Sequence, residues 1–394
     1  MATREPSITA AALLLNLPPG ILCGIDLLSF TTSTQFRGIK DIPPGWHFIF
    51  TSETTSLSIR DGFWFQIPSA LPSAPSPLIV RKWDPSIGSL QAYDSPDDYR
   101  AKVPEWWEKH LSPYRQSASQ DAKPEAGGWP ALTEHVTPRL LSHLTQNGDW
   151  RITSASCAKE DRDDIPGLTA EEVGEGMELG TLGIDLKQTW REGAVGRERT
   201  EAAVDKSWAL NDVVKRCQSL GRDGEEEWDH TVLGQMEVCF LMVLTVANHS
   251  CLEEWKRCVG LVLTCKRAVR ERDRWFAKFL VVSRRQMERC EDVEGGLFDM
   301  SDVGGGLLKG LLKVFKRTLD QVFGELEGED IREEMEALEA FLKGEYGWEL
   351  GDEFVRKGMV QLADGEMVEM ETEEMEGEDE RGEYAPIVVD LDNE

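Results

Sequence analysis

The stretch Phe36-Arg37-Gly38-Ile39-Lys40-Asp41-Ile42-Pro43-Pro44-Gly45-Trp46-His47-Phe48-Ile49-Phe50 sets two short apolar runs on either side of a Pro-Pro-Gly break. Runs this short, punctuated by Gly and Pro, predict strands rather than helices. The pattern continues outward in both directions. Residues 13–15 precede Pro18-Pro19-Gly20, residues 21–25 follow, and residues 57–59 precede Asp61-Gly62. Residues 63–67 form the next run, and residues 78–83 lie beyond a Pro/Ser-rich loop at 69–77. Strands at such close spacing predict an antiparallel sandwich or barrel. Residues 8–17 contain Thr9 and Asn16 and run into the prolines, so they read as the first strand and not as a signal peptide.

From Thr200 onward the period is helical. Thr200 predicts an N-cap, with Glu201 in the first turn of a helix that passes through Trp208, Val213 and Val214. Residues 231–247 are almost wholly apolar and predict a central helix, broken at Asn248-His249-Ser250. Apolar residues at 252, 255, 259, 262 and 263 make an amphipathic stripe over 252–272 that buries Trp255. Residues 275–289, 307–323 and 331–342 complete a helical bundle. Residues 99–111 and 129–144 are further helix candidates, the second broken near Pro138. No tetratricopeptide-like repeat period is present. Residues 154–196 are rich in Gly and acids and lack periodicity, which predicts a flexible linker. The longest apolar run, 238–247, is too short to span a bilayer.

A chain of 394 residues exceeds one ordinary core, and two domains plus tails are expected. Acids outnumber bases 72 to 43, for a net charge of −29. That charge repels a phosphate backbone and suits basic partners. Eight cysteines without a CxxC pair indicate reduced thiols in a cytosolic or nuclear protein. Cys251, Cys258 and Cys265 recur every seven residues, which on one helix sets the thiols about 10 Å apart, too far for a single metal ion. His249-Ser250-Cys251 places a base beside nucleophiles, but adjacent helical residues do not face one another and no GxSxG elbow exists. Gly174, Gly176 and Gly180 lie among Glu171, Glu172, Glu175 and Glu178, which would repel a pyrophosphate. No catalytic, cofactor or metal site is expected. A hydrolase working from the sandwich face is the weakest alternative.

One region runs against the acidic whole. Between Lys256 and Arg289 stand eleven bases and three acids, with Trp275, Phe276 and Phe279 interleaved. This composition fits an RNA-binding face, and RNA binding through 256–289 is the principal alternative function. It also fits a solvated helix surface or one that docks the chain's own acidic tail. That tail holds eleven acids and one base, Arg381, between Asp364 and Glu383, a composition that cannot fold alone. It ends in the β-prone run Pro386-Ile387-Val388-Val389-Asp390-Leu391.

Several segments together resemble the AAR-two family of cistron-splicing factors. They are Gly24-Ile25-Asp26, the 36–48 stretch in the order FRGxKxIPPGxHF, Gly62-Phe63-Trp64 and Arg81-Lys82-Trp83. Trp129 with Leu132-Thr133, residues 197–210, Leu233-Gly234-Gln235-Met236, Glu254-Trp255-Lys256-Arg257 and residues 385–389 continue the likeness. The resemblance implies an α+β protein: an N-terminal β-sandwich-like domain followed by an α-helical bundle domain, with an acidic, largely disordered C-terminal tail. The expected boundaries are 1–150 for the sandwich with trailing helices, 151–199 for the linker, 200–350 for the helical domain and 351–394 for the tail. It further implies a non-enzymatic assembly chaperone of pre-mRNA splicing. Such a chaperone binds the large scaffold protein of the U-five snRNP, at its RNase H-like and Jab/MPN domains, during particle maturation. No membrane is involved, direct RNA binding is disfavoured, the free protein is expected to be monomeric, and it is placed in the nucleus and cytoplasm. The motif polar residues Arg37, Lys40 and His47 are expected to serve the sheet core before any partner. The expected partner-binding residues are Ile387, Val388, Val389, Asp390 and Leu391, which can pair with the edge of a partner's sheet, the alternative being that the segment folds back onto the edge of the chain's own sandwich.

Overall fold

The two runs of the 36–50 stretch form strands β4 (Gly38–Ile42) and β5 (Gly45–Ser52), but they do not pair with each other. Pro43-Pro44 carries the chain from one sheet to another. The structure is a computed structural model that describes residues 10–54, 58–69, 75–93, 95–115, 128–146, 148–164, 177–220, 227–290, 307–324 and 327–351, together with the backbone of 356–361 and 367–372. By its contacts the chain divides into two units, Met1–Ile184 with Arg216–Cys258, and Asp185–Lys215 with Val259–Glu394.

In the first unit β1 (Ala10–Leu15) lies at the centre of a five-stranded sheet. Its order is β8 (Ser89–Ala92), β7 (Leu78–Asp84), β1, β4 and β9 (Leu111–Pro113). β1 pairs antiparallel with β4 but parallel with β7, and β4 pairs parallel with β9. The sheet is therefore mixed, where strand spacing alone predicts an antiparallel one. The reason lies in β1 itself, Ala-Ala-Ala-Leu-Leu-Leu, which is buried along its whole length. One face (Ala12, Leu14) meets the inter-sheet core of Ile25, Ile39, Ile49, Phe63 and Trp83. The other (Ala11, Leu13, Leu15) packs on Val103 and Trp107, from the segment of helices α1 (Asp97–Arg100) and α2 (Val103–Trp106). A strand covered on both sides reads as a continuous apolar run, as central strands of parallel sheets do. Gly38 pairs with Leu13, and a Cβ there would run into the Ala12 carbonyl, so only glycine lets β4 approach.

The second sheet has the order β10 (Arg151–Thr153), β6 (Arg60–Ile67), β5, β2 (Leu22–Ile25) and β3 (Leu28–Thr31), with every pairing antiparallel. Its outer face carries Trp64, stacked at 5.7 Å on Trp129 of a 3-10 turn (Trp129–Leu132), whose indole N–H donates to the Trp46 carbonyl at 2.7 Å. Helix α3 (Pro138–Thr145) follows, capped by the Thr137 hydroxyl. The candidate helices at 99–111 and 129–144 thus resolve into short pieces. Within the expected linker, Arg151–Thr153 pairs with Asp61–Phe63, β11 (Cys157–Ala158) pairs with β12 (Glu178–Leu179), and α4 (Lys159–Asp164) lies between them. Helices α7 (Glu227–Val246) and α8 (His249–Val262) fall largely in this unit.

The second unit is helical. Helix α5 (Arg197–Val204) begins after Gly196, so Thr200 is inside the helix and not its cap. It ends where the Asp205 carboxylate accepts from the Ser207 and Lys266 amides, and α6 (Ser207–Leu220) starts afresh. Short α9 (Arg267–Glu271) precedes α10 (Asp273–Met287), α11 (Leu307–Val322) and α12 (Glu329–Tyr346). The α11 residues Leu308, Leu312, Phe315 and Leu319 recur at helical spacing and are buried, with Phe276 of α10 stacked on Phe315 at 6.0 Å. Beyond them β13 (Arg356–Gln361) and β14 (Met367–Thr372) form an antiparallel hairpin inside the stretch expected to be a tail.

Candidate functional site

The motif residues of the sheets form a buried polar knot. Asp26, at φ 55° in the turn between β2 and β3, accepts the Phe48 amide at 2.9 Å through Oδ1. Its Oδ2 meets His47 Nδ1 at 2.8 Å and accepts the Tyr114 hydroxyl at 2.7 Å. His47 Nε2 lies 2.9 Å from the Pro43 carbonyl. Lys40 donates to the Trp107 carbonyl at 2.8 Å, with its ammonium 5.4 Å from the Trp107 ring centre. Arg37 binds the Phe36 carbonyl at 2.8 Å. Arg37, Lys40 and His47 are thus engaged within their own domain.

A second knot joins α7 and α8. Gln235 of α7 donates to the Glu254 carboxylate of α8 at 2.7 Å and accepts the Leu182 amide at 3.0 Å. Glu254 also receives Arg257 at 3.1 Å, and Arg257 reaches on to Asp161 of α4. Burial alone would lower the basicity of Arg257, but Asp161 and Glu254 raise it above its ordinary value. Two residues along α7, the buried Glu237 accepts both the amide and the ring Nδ1 of His135, at 2.8 and 2.7 Å. Gly234 makes room for this approach, because a Cβ would strike the His135 carbonyl. Burial raises the Glu237 carboxyl above its usual range, against the lowering by His135. None of these partnerships was legible in the sequence. The signals were the polar Gln235 and Glu237 inside the apolar run 231–247 and the place of Gln235, Glu254 and Arg257 in the LGQM and EWKR motifs.

The break between α7 and α8 is a cap. Ala247 takes φ 55°, and the Asn248 side chain accepts the Cys251 amide at 2.7 Å while donating to the carbonyls of Thr153 and Ser156. His249 points to solvent, and the Ser250 hydroxyl is held by Asp161 and the Ala158 amide. The triplet does not assemble as base and nucleophile. Cys251 and Cys258 are buried on α8, but α8 ends at Val262 and Cys265 lies beyond it. Burial pushes the thiols up, Cys23 to about 12 and Cys217 to about 11.

Most bases of the 256–289 stretch for which a side-chain contact is described face acids of the chain. Lys256 pairs with Glu253, Arg267 with Asp205, Arg270 with Glu327, and Arg284 with Glu288 and Glu334. Arg272 donates to the Asn211 side chain. The acidic helix α12 supplies Glu334 to α10 and Glu339 to Lys316 of α11. Ile387, Val388, Val389, Asp390 and Leu391 lie outside the described residues.

Both halves of this architecture have counterparts among known families. The model described as the AAR2 N-terminal domain matches residues 8–146, and that of the AAR2 C-terminal repeat region matches residues 182–351. The chain belongs to the AAR2 family. It is 22% identical to the "Protein AAR2 homolog" of Mus musculus, over 87% of this chain and 91% of the relative. It is 23% identical to that of Homo sapiens, over 71% and 75%, and 21% identical to that of Caenorhabditis elegans, over 86% and 94%.

Proposed function

We propose that the chain is a non-enzymatic pre-mRNA splicing factor, an assembly chaperone that binds the large scaffold protein of the U-five snRNP during particle maturation. Membership of the AAR2 family along most of the chain carries this reading. The polar side chains of the core support it: His47, His135, Ser250 and Arg257 are all engaged in bonds that hold the fold. The partner is engaged through the scaffold's RNase H-like and Jab/MPN domains, with the 387–391 segment pairing at a sheet edge. The free protein is a monomer of nucleus and cytoplasm. The alternative, RNA binding through 256–289, is disfavoured by the acids that face Arg267, Arg270 and Arg284 and by the net charge of −29. Affinity purification with mass spectrometry tests the proposal. Recovery of the scaffold protein is expected. Its absence, or RNA binding with a steep salt slope by the isolated chain, overturns the proposal.

A further inference from the structure

Helix α10 carries a basic stripe on the side away from its core residues. Arg274, Lys278, Val281 and Arg285 recur at spacings of four, three and four, and Arg289 continues the row just past the helix end. Arg274 and Lys278 are exposed, while Val281, Arg285 and Arg289 are half-buried. Arg284, which pairs with Glu288 and Glu334, points about 100° round the helix from Arg285. The acid within α10, Asp273, accepts the Arg274 amide in the first turn. From Arg274 to Arg289 the stripe runs about 22 Å along the axis.

The acidic end of the same chain sets out from this helix. The Tyr346 hydroxyl of α12 donates to the Met287 carbonyl at 2.9 Å, and Leu350 is buried, so the chain leaves near Arg285 and Arg289. The hairpin then brings it back: Thr372 of β14 pairs with Arg356 of β13. Residue 373 therefore starts within about 25–30 Å of Gly351. Glu373, Glu374, Glu376, Glu378, Asp379 and Glu380 follow, with no base among them. Extended, residues 373–380 cover about 28 Å at most, enough to lie along the whole stripe.

We infer that segment 373–380 docks on the α10 stripe of its own chain and denies that stripe to phosphate backbones. Charge and reach both match. Tethering also gives the segment an effective concentration on the order of millimolar, which a separate acidic partner lacks. A second copy is a poor occupant, since it would bring a further net charge of −29. The contact gives the basic run at 256–289 an acidic occupant from the chain itself, and it stands independently of scaffold binding.

Carbodiimide coupling, which joins a carboxylate directly to a lysine amine in contact with it, tests this on the full wild-type chain. In a dilute mixture of isotopically labelled and unlabelled protein at low salt, Lys278 should couple to an acid of 373–380 of the same copy. The yield should fall at least about fivefold at about 0.5 M salt. A variant with Glu373→Gln, Glu374→Gln, Glu376→Gln, Glu378→Gln, Asp379→Asn and Glu380→Gln should bind a single-stranded oligouridine about tenfold more tightly than the wild type. Arg274→Gln with Lys278→Gln should cancel that gain, yet change binding less than about twofold in the wild-type background, where the stripe is already covered. Coupling only between labelled and unlabelled copies would make a second copy the occupant and overturn the inference. Coupling of Lys278 to Asp390 or Asp392 instead would hand the stripe to the terminal β-prone segment. Coupling only to acids of an added scaffold fragment would hand it to the partner. Equal RNA affinity of the wild type and the six-acid variant would also overturn the inference, and none of these results bears on whether the scaffold is bound.

Discussion

Gln235 and Glu254 join the two sequence motifs of the helix pair: the LGQM amide of α7 donates to the EWKR carboxylate of α8 at 2.7 Å, with both side chains fully buried. Arg257 meets the Glu254 carboxylate on the other side, at 3.1 Å. A buried pair of this kind is costly to break, since each orphaned group keeps its full desolvation penalty.

Gln235→Leu removes the bonds from Gln235 to the Glu254 carboxylate and to the Leu182 amide. It should destabilise the protein by about 2–4 kcal/mol, read by urea unfolding. A loss below about 0.5 kcal/mol would mean that the two motifs meet without supporting each other.

Trp255, the neighbour of Glu254, is 3% exposed. Trp255→Ala should cost about 3–5 kcal/mol and lower the melting temperature before it affects any binding surface. An unchanged melting temperature with lost scaffold binding would make this residue an interface anchor instead.

Glu237 gives the protein a defined pH response. Burial raises its carboxyl in the folded state above the ordinary 4.5, partly offset by His135. Its stabilising contribution is therefore complete below the unfolded value and lost as pH rises through the folded one. Glu237→Gln pays a fixed cost for its mismatched amide but has no such dependence. The variant should gain on the wild type as pH rises from about 4 to about 7, measured as the difference in unfolding free energy. A difference that stays flat across that range would remove Glu237 from the titration.

Val388→Pro addresses the terminal segment. It removes one backbone donor and should weaken scaffold binding while leaving the melting temperature of the free protein unchanged. A lower melting temperature with binding intact would make the segment a structural strand of its own domain.

Much of the sheet domain was legible because glycine and proline mark its turns. β5 lies where the punctuation put it, whereas β6 runs through Asp61-Gly62, the pair read as a turn, because Gly62 faces Phe50 in the ladder and makes room for the Phe48 ring. β3 escaped because its turn, Asp26-Leu27, has neither residue and relies on Asp26 at φ 55°, held by Phe48 and Tyr114. The parallel pairing of β1 with β7 escaped for another reason: periodicity reports which face a residue takes, not the direction of its neighbour. The Thr200 cap failed because the decisive acceptor, Asp205, draws one of its donors from Lys266. The motif histidine His47 was expected in the sheet core, and it is there; its partner Asp26 was visible only as part of a motif. For the terminal residues 387–391 the sequence remains the source of the expectation.

Asn248 has a consequence for the order in which the protein is made. Its amide binds the carbonyls of Thr153 and Ser156, some 95 and 92 residues earlier, and Glu237 reaches His135 across 102. The last strand of the second sheet, Arg151–Thr153, itself pairs with Asp61–Phe63. On the ribosome, then, β6 waits for β10 with one edge bare, and β10 in turn waits for a helix junction translated much later. Contacts this distant must be closed against chain entropy before they return any stability, which slows folding and prolongs exposure of sticky edges. A nascent chain halted before Asn248 carries every strand of both five-stranded sheets yet lacks the clasp on the last of them, so its first needs during synthesis are those of a client.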